Sequence, residues 1–265
     1  HMSLQHSYQA LAEQEWIDIP TGWLQGRTIY GGLVAGLMMQ KALLTLADDT
    51  KHLLSCSVTF VGPVQQAKVR LTSEILRQGK SVTTLEVRLW QDDAVQSILV
   101  ASFGTQRESS IHVHQEPVAP AFPSVDGLPT APHHPLAPEC FKQLDMVWVT
   151  GQYPCTASPK PDFSGWYRFN PDLHENRDMT VADLMVSMDI WPPGVLPMFK
   201  SMAPASSLTW HLTYVHPLKN QLHDWMKYRV ETQYAADGYS TEAAYLWDDQ
   251  NRLIAISRQT VTVFA

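Results

Sequence analysis

Two residues in the second half of this 265-residue chain stand where their surroundings make them chemically unusual. On a helical wheel, Ala182, Met185, Val186 and Asp189 fall at i, i+3, i+4 and i+7, so Asp189 shares an apolar stripe that should face a core. Its position late in the expected helix also sets its charge against the helix dipole. Both conditions raise a carboxyl pKa toward the range in which a general base works near neutral pH. The plainer alternative is a helix that stops earlier, with Asp189 merely capping the turn before Pro192. Gln259 is the second residue. Leu253, Ala255, Ser257, Gln259, Val261 and Val263 share one strand face at period two, so an amide interrupts a largely apolar row. A buried amide needs partners, and a carboxylate and a nucleophilic water would satisfy it. An edge strand with a wet face is the competing reading.

The elements that must carry these residues come in two similar sets. Val58-Thr59-Phe60-Val61-Gly62-Pro63 matches Leu212-Thr213-Tyr214-Val215-His216-Pro217 at a shift of 217 − 63 = 154. Gly79-Lys80-Ser81, Leu89-Trp90 and Asp92-Asp93 then fall in the same order against Gly238-Tyr239-Ser240, Leu246-Trp247 and Asp248-Asp249. Such order points to a duplicated unit. In the first copy, Gly31-Gly32 opens a proline-free stretch through Leu46 that predicts a central helix. Strands are predicted near 53–62, 68–78, 82–91 and 95–105, broken at Gly62-Pro63, Gln78-Gly79 and Gln91-Asp92-Asp93. The second copy predicts a helix near 179–190 and strands near 207–216, 224–236, 240–248 and 252–264.

Glu116 to Pro138 holds seven prolines, which neither a helix nor a sheet interior accepts, and reads as a linker. The expected organisation is therefore residues 1–115, a linker over 116–138, and residues 139–265. The class is α+β, each antiparallel sheet burying a helix against one face. Pairing of the two halves edge to edge would cover an exposed strand edge in each.

With 45% hydrophobic and 17% charged residues the chain is ordinary globular material. A net charge of −7 argues against nucleic acid as a partner, because phosphate-binding surfaces cluster Lys and Arg. Cys56, Cys140 and Cys155 lack the spacing of a disulfide framework or a zinc site. They suit a reducing compartment. No apolar run nears the roughly 20 residues that span a bilayer, so the expectation is a cytoplasmic protein with no membrane partner. His1-Met2-Ser3 reads as a cloning remnant ahead of a native start.

Gln25-Gly26-Arg27-Thr28-Ile29-Tyr30-Gly31-Gly32 before the first helix, the Phe60 to Pro63 turn and the Arg77-Gln78-Gly79-Lys80-Ser81 hairpin resemble the acyl-CoA thioesterase II (TesB-like) family. The resemblance runs over most of the chain and is weakest in the linker. It implies two tandem hot dog folds, each a curved sheet wrapped round a long helix. It also implies hydrolysis of acyl thioesters with no metal, no cofactor and no covalent intermediate. The water would be positioned by an Asp, a hydroxyl residue and a Gln of the second unit. Ser187-Met188-Asp189-Ile190-Trp191-Pro192-Pro193 carries the first over to Asp189. Counting ten positions back from Pro217 gives Ser207, where the family more often has Thr, and Ala255-Ile256-Ser257-Arg258-Gln259 gives Gln259. Three positions depart from the family: Ser57-Val58 replaces a common His-Ser pair, and Thr209 replaces a common Asp. Asp189 would take a proton from a water also held by Ser207 and Gln259. Backbone amides at a helix start would receive the carbonyl oxygen. Gly31 and Gly32 are the substrate-binding candidates, since glycine admits close approach to the backbone, although helix-opening glycines also serve purely steric ends. Arg27, Lys80 and Lys227 are the cations on offer to the phosphates of coenzyme A. The partner implied is acyl-CoA or another small acyl thioester, in at least a dimer of fused chains.

Other signals lead elsewhere. Gly79-Lys80-Ser81 has Glu74 where a phosphate-binding loop requires glycine, and no GxSxG elbow occurs. His112, His114, His133 and His134 lack the helical spacing of a metal pair and read as solvated loop residues. The methionines at 38, 39, 185, 188, 198 and 202 would line an acyl tunnel or simply fill the core. Hot dog enoyl thioester hydratases are a competing enzyme class, but they need a His shortly after the Asp, and none follows Asp189. An acyl-thioester binding protein without catalysis is the third reading.

Overall fold

A run of sixteen residues without proline or charge in its first ten positions folds as a helix that is apolar on every side, and such a helix must be surrounded. In the computed structural model, which describes residues 3–131 and 134–264, that helix lies at the centre. In chain order the elements are α1 (Leu4–Glu13), β1 (Trp16–Asp18), β2 (Leu24–Gln25), β3 (Thr28–Ile29), α2 (Gly31–Leu46), β4 (His52–Phe60), β5 (Lys68–Gln78), β6 (Val82–Gln91) and β7 (Ala94–Gly104). The second half supplies β8 (Leu144–Gly151), β9 (Phe163–Phe169), α3 (Val181–Met188), β10 (Ala205–Tyr214), β11 (Met226–Ala236), β12 (Tyr239–Trp247) and β13 (Leu253–Val263). The expected α+β architecture is present. Sequence reasoning missed α1, β1, the β2–β3 hairpin, β8 and β9, and it ran the second helix two residues too far at each end. His133 lies outside the described residues, as does the expected remnant His1-Met2. His112, His114 and His134 are exposed.

All strands but β2 and β3 form one antiparallel sheet in the order β1-β5-β6-β7-β4-β10-β13-β12-β11-β9-β8. The halves join where β4 pairs β10, and the register there carries the duplication in it. Ser57 lies opposite His211, and 57 + 154 = 211, so matching residues of the two copies face each other across a pseudo-twofold axis. Each copy also has a one-residue bulge at the same place, at Leu54 in β4 and Leu208 in β10, again 154 apart.

Inside the curved sheet α2 packs on α3. Gly36 makes this possible: a Cβ there would lie 2.1 Å from Val186 Cγ2 and 3.1 Å from the Ala182 carbonyl oxygen. Gly36→Ala should force the helices apart and cost about 1–3 kcal/mol. A urea titration at neutral pH reads this directly, and an unchanged midpoint would mean the contact is softer than its geometry. Met38, Met39, Met185 and Met188 are buried among these elements as core, whereas Met198 and Met202 are exposed.

The proline-rich segment lies along the outer face of the second half-sheet. Trp247, Lys227 and Trp166 are cross-strand neighbours on β12, β11 and β9. Trp247 Nε1 donates to the carbonyl of Pro117 (3.0 Å), Lys227 Nζ to Pro120 (2.7 Å) and Trp166 Nε1 to Pro123 (3.1 Å). The acceptors recur every third residue, the period of an extended proline-rich chain. Among the described residues no helix is long and apolar enough to cross a membrane.

Candidate active site

Helix α3 starts with a capping box, in which Thr180 and Asp183 satisfy each other's backbone N–H groups. It ends at Met188 because Pro192 and Pro193 follow and cannot extend it. Asp189 is thus the C-cap, as the plainer alternative had it, yet its side chain points inward rather than to solvent. Gln259 Nε2 donates to Asp189 Oδ1 at 3.1 Å and to Ser207 Oγ at 2.5 Å. One amide group therefore bridges the carboxylate and the hydroxyl. The three residues predicted to act together lie around one point.

Ser207 reaches that point only because of the bulge at Leu208. Trp210 and Leu212 face the core from β10, and strict alternation would turn Ser207 outward; the extra residue reverses the phase. The first half shows the same scaffold without the chemistry. Ala101 pairs with Cys56 as Gln259 pairs with Trp210, and Leu53 precedes its bulge as Ser207 does. Both are buried and apolar. Of two equivalent places, one is polar.

Asp189, Ser207 and Gln259 line a cavity of about 440 Å³ together with Gln25, Thr28, Gly31 and Phe60 of the first half and Trp191 and Pro192 of the second. Gly31 opens α2, so the Gly31 and Gly32 amides precede the first helical donor, Leu33 N to the Tyr30 carbonyl at 3.1 Å, and a Cβ on Gly31 would stand 3.2 Å from Asp189 Oδ2. Gly32 has a different neighbour: a Cβ there would collide with the Tyr30 ring, whose hydroxyl donates to the Val186 carbonyl at 2.5 Å. Burial lifts the Asp189 carboxyl to about 7, against the hydrogen bond from Gln259, which favours the ionised form. Desolvation, one of the two causes expected from sequence, is the largest.

Of the three proposed phosphate-binding cations, Lys227 is corrected. It is 6% exposed, bonded to the Pro120 carbonyl and held over the Trp166 and Phe122 rings, so its ammonium is committed to the linker. Arg27 sits in the turn between Gln25 and Thr28, which both touch the cavity, and Lys80 lies in the β5–β6 turn. The exposed methionines are absent from the cavity wall. Sequence reasoning missed Gln25, Thr28, Phe60 and Trp191 as wall residues. It also missed Glu242, which is directly opposite Gln259 on β12 and 2% exposed. The signal for it was present in the row Ser240, Glu242, Ala244 and Leu246, a carboxylate at period two on a buried face.

Comparison with known proteins agrees over nearly the whole chain. Residues 19–105 match the family model of an acyl-CoA thioesterase N-terminal domain, and residues 112–263 that of an acyl-CoA thioesterase C-terminal domain. No curated protein matches. Among solved structures, a hot dog protein of unknown function from Alicyclobacillus acidocaldarius is 19% identical, with a TM-score of 0.83 over 98% of both chains. The acyl-CoA thioesterase II TesB2 of Mycobacterium marinum is 19% identical, with a TM-score of 0.70 over 97% of both. The tesB protein of Mycobacterium avium subspecies paratuberculosis is 15% identical, with a TM-score of 0.75 over 97% of this chain and 98% of that one. At such identities the structures establish the fold, which is the hot dog fold in two tandem copies.

Proposed function

Because the chain belongs to the acyl-CoA thioesterase family, we propose that it hydrolyses acyl thioesters, acyl-CoA first among them, with a water activated by Asp189. The observation that carries this reading is the double donation of Gln259 to Asp189 and Ser207 inside a cavity. Gln259 spends both amide hydrogens on these acceptors, which leaves the Ser207 hydrogen and Asp189 Oδ2 to orient a water. The ionised Asp189 takes one proton as the water oxygen attacks the thioester carbonyl carbon. The carbonyl oxygen, now negative, is received by the first-turn amides at Gly31 and Gly32. Collapse of the tetrahedral adduct breaks the C–S bond, and the proton on Asp189 passes to the departing thiolate. The products are a carboxylic acid and a free thiol, and Asp189 is restored. Residues of both halves line the cavity, which supports binding by both and chemistry by the second. A cytoplasmic setting and a dimer of fused chains belong to the same reading.

Release of free thiol from acyl-CoAs of graded chain length tests it. Thiol release supports hydrolysis, hydration of an enoyl-CoA without thiol release would replace it with the hydratase reading, and binding without turnover would leave a carrier. The base must be ionised to act, so turnover should rise with pH through about 7. Gln259→Ala should lower kcat by about 10- to 100-fold, in line with lost positioning of a general base. It should also move that rise to higher pH, because the hydrogen bond it deletes favours the ionised carboxylate. A rise at unchanged pH would separate Gln259 from Asp189.

A further inference from the structure

The second half buries a carboxylate that the hydrolytic steps above do not use. Glu242 is 2% exposed, and among the described residues no cation pairs with it. A buried carboxylate is costly, and the fold itself does not require this one. In the first half the matching position, opposite Ala101 on β6, is the buried Leu85. Three inward positions therefore differ in kind between the copies: Leu53, Leu85 and Ala101 in the first, Ser207, Glu242 and Gln259 in the second. The carboxylate accompanies the polar site and is absent where the site is absent.

Its contacts say what it holds. Glu242 Oε1 accepts from the Gly194 backbone N–H at 2.9 Å. Gly194 closes the Trp191-Pro192-Pro193-Gly194 turn, whose first three residues line the reaction cavity just after Asp189. The turn is clasped from its other side as well. The Gly194 carbonyl accepts from Asp162 N at 2.8 Å, and a Cβ on Gly194 would lie 2.6 Å from Asp162 Oδ1 and 2.7 Å from Thr232 Oγ1. Trp191 stacks flat on Tyr228 at 4.9 Å between ring centres. As the direct cross-strand partner of Gln259, Glu242 also shares its face of the sheet, with Cβ atoms about 5 Å apart in such pairs.

We propose that Glu242 is a positioning residue of the hydrolytic site, fixing the Trp191–Gly194 turn through the Gly194 amide and backing Gln259 from the neighbouring strand. This rests on the thioesterase reading for its effect on turnover, but not for its effect on the turn. The titratable groups that face Glu242 are Asp189 after α3, Asp162 before β9 and Tyr228 on β11. Burial and the nearby Asp189 and Asp162 lift the Glu242 carboxyl to about 8. Both carboxyls therefore resist ionising, and ionisation of Glu242 would put a second negative charge beside the site. That charge opposes the negative oxygen of the tetrahedral adduct.

Two variants and Asp189→Asn are compared with the wild type. Glu242→Gln keeps an acceptor for Gly194 and removes the ionisation. It should turn over near the wild-type rate at pH 7 and fall off less than the wild type at alkaline pH. Glu242→Leu installs the residue that the first half already packs at this place, so the fold should survive. It should lower kcat about tenfold or more at pH 7 and speed hydrogen exchange over residues 191–196 at least tenfold, while Glu242→Gln leaves that exchange slow. Wild-type exchange over 191–196 in Glu242→Leu overturns the proposal, as does a tenfold loss of turnover at pH 7 in Glu242→Gln, which keeps the acceptor for Gly194. Turnover that survives in Asp189→Asn counts against the hydrolytic assignment alone, since the exchange measurement decides the role of Glu242 without any substrate.

Discussion

Asp189→Asn should lower thioester turnover by roughly 10²–10⁴-fold, the range a positioned general base supplies, with KM little changed. The amide has no basic oxygen to accept the proton, while its shape keeps the cavity and the Gln259 contact in place. The same substitution should stabilise the fold at neutral and alkaline pH. The unfolded carboxyl titrates near 4, and the folded one is pushed up to about 7 by burial. Between these values the folded protein retains a proton that the unfolded chain has lost, so stability falls as pH rises through that window and the full cost is felt above it. A neutral amide in place of the carboxyl escapes this cost. Thermal unfolding of the variant should match the wild type near pH 4 and lie several degrees above it at pH 8. A variant that keeps near-wild-type turnover, or melts below the wild type at pH 8, would remove Asp189 from the chemistry or from its buried setting respectively.

This trade explains why the site was partly legible in the sequence. Asp189 and Gln259 break an apolar pattern, and a residue that breaks a pattern at a thermodynamic cost is visible in the letters alone. Glu242 breaks one too, but it follows closely on the Asp237-Gly238 turn, where a carboxylate is ordinarily solvated. Ser207 was not visible that way: its strand alternation, counted back from Trp210 and Leu212, assigns it to the outer face, and only the bulge at Leu208 turns it in. The resemblance to a family supplied it instead. The long strands were legible because turns mark their ends: Gly-Pro, Gly-Lys-Ser and Asp-Asp for β4 to β7, and His-Pro, Gly-Tyr-Ser and Asp-Asp for β10 to β13. Strand β9 was hidden by Gly165, which weakens any strand signal, yet a Cβ there would lie 2.1 Å from the Val147 carbonyl oxygen, so close pairing with β8 demands it. Helix α1 buries only Leu4, Ser7, Tyr8 and Leu11, a narrow i, i+3, i+4, i+7 stripe in a largely polar segment. The role of Lys227 was misjudged because a cross-sheet partner in a distant linker leaves no local trace.

Arg177→Met should be the most destabilising single change away from the cavity, at about 3–5 kcal/mol. Asp183 is completely buried at the start of α3 and accepts five hydrogen bonds. Two come from Arg177, at 2.6 and 3.0 Å, two from Thr180, and one from the Tyr8 hydroxyl of α1 at 2.8 Å. This one carboxylate thus ties α1 of the first half to α3 of the second, on the helix that carries Asp189 to the cavity. Methionine replaces the stem of the arginine but leaves the carboxylate charged, buried and short of its only cation among the described residues. Tyr8→Phe removes a single bond to a charged acceptor and should cost less, about 1.5–3 kcal/mol. Adding Asp183→Asn to Arg177→Met should recover part of the loss, because the stranded charge goes with it, and a double-mutant cycle in urea measures that coupling. Additive losses in the cycle would show that the pair does not act as a unit. The arginine would then matter only for its packing over the Tyr8 ring, where its guanidinium carbon lies 5.9 Å from the ring centre.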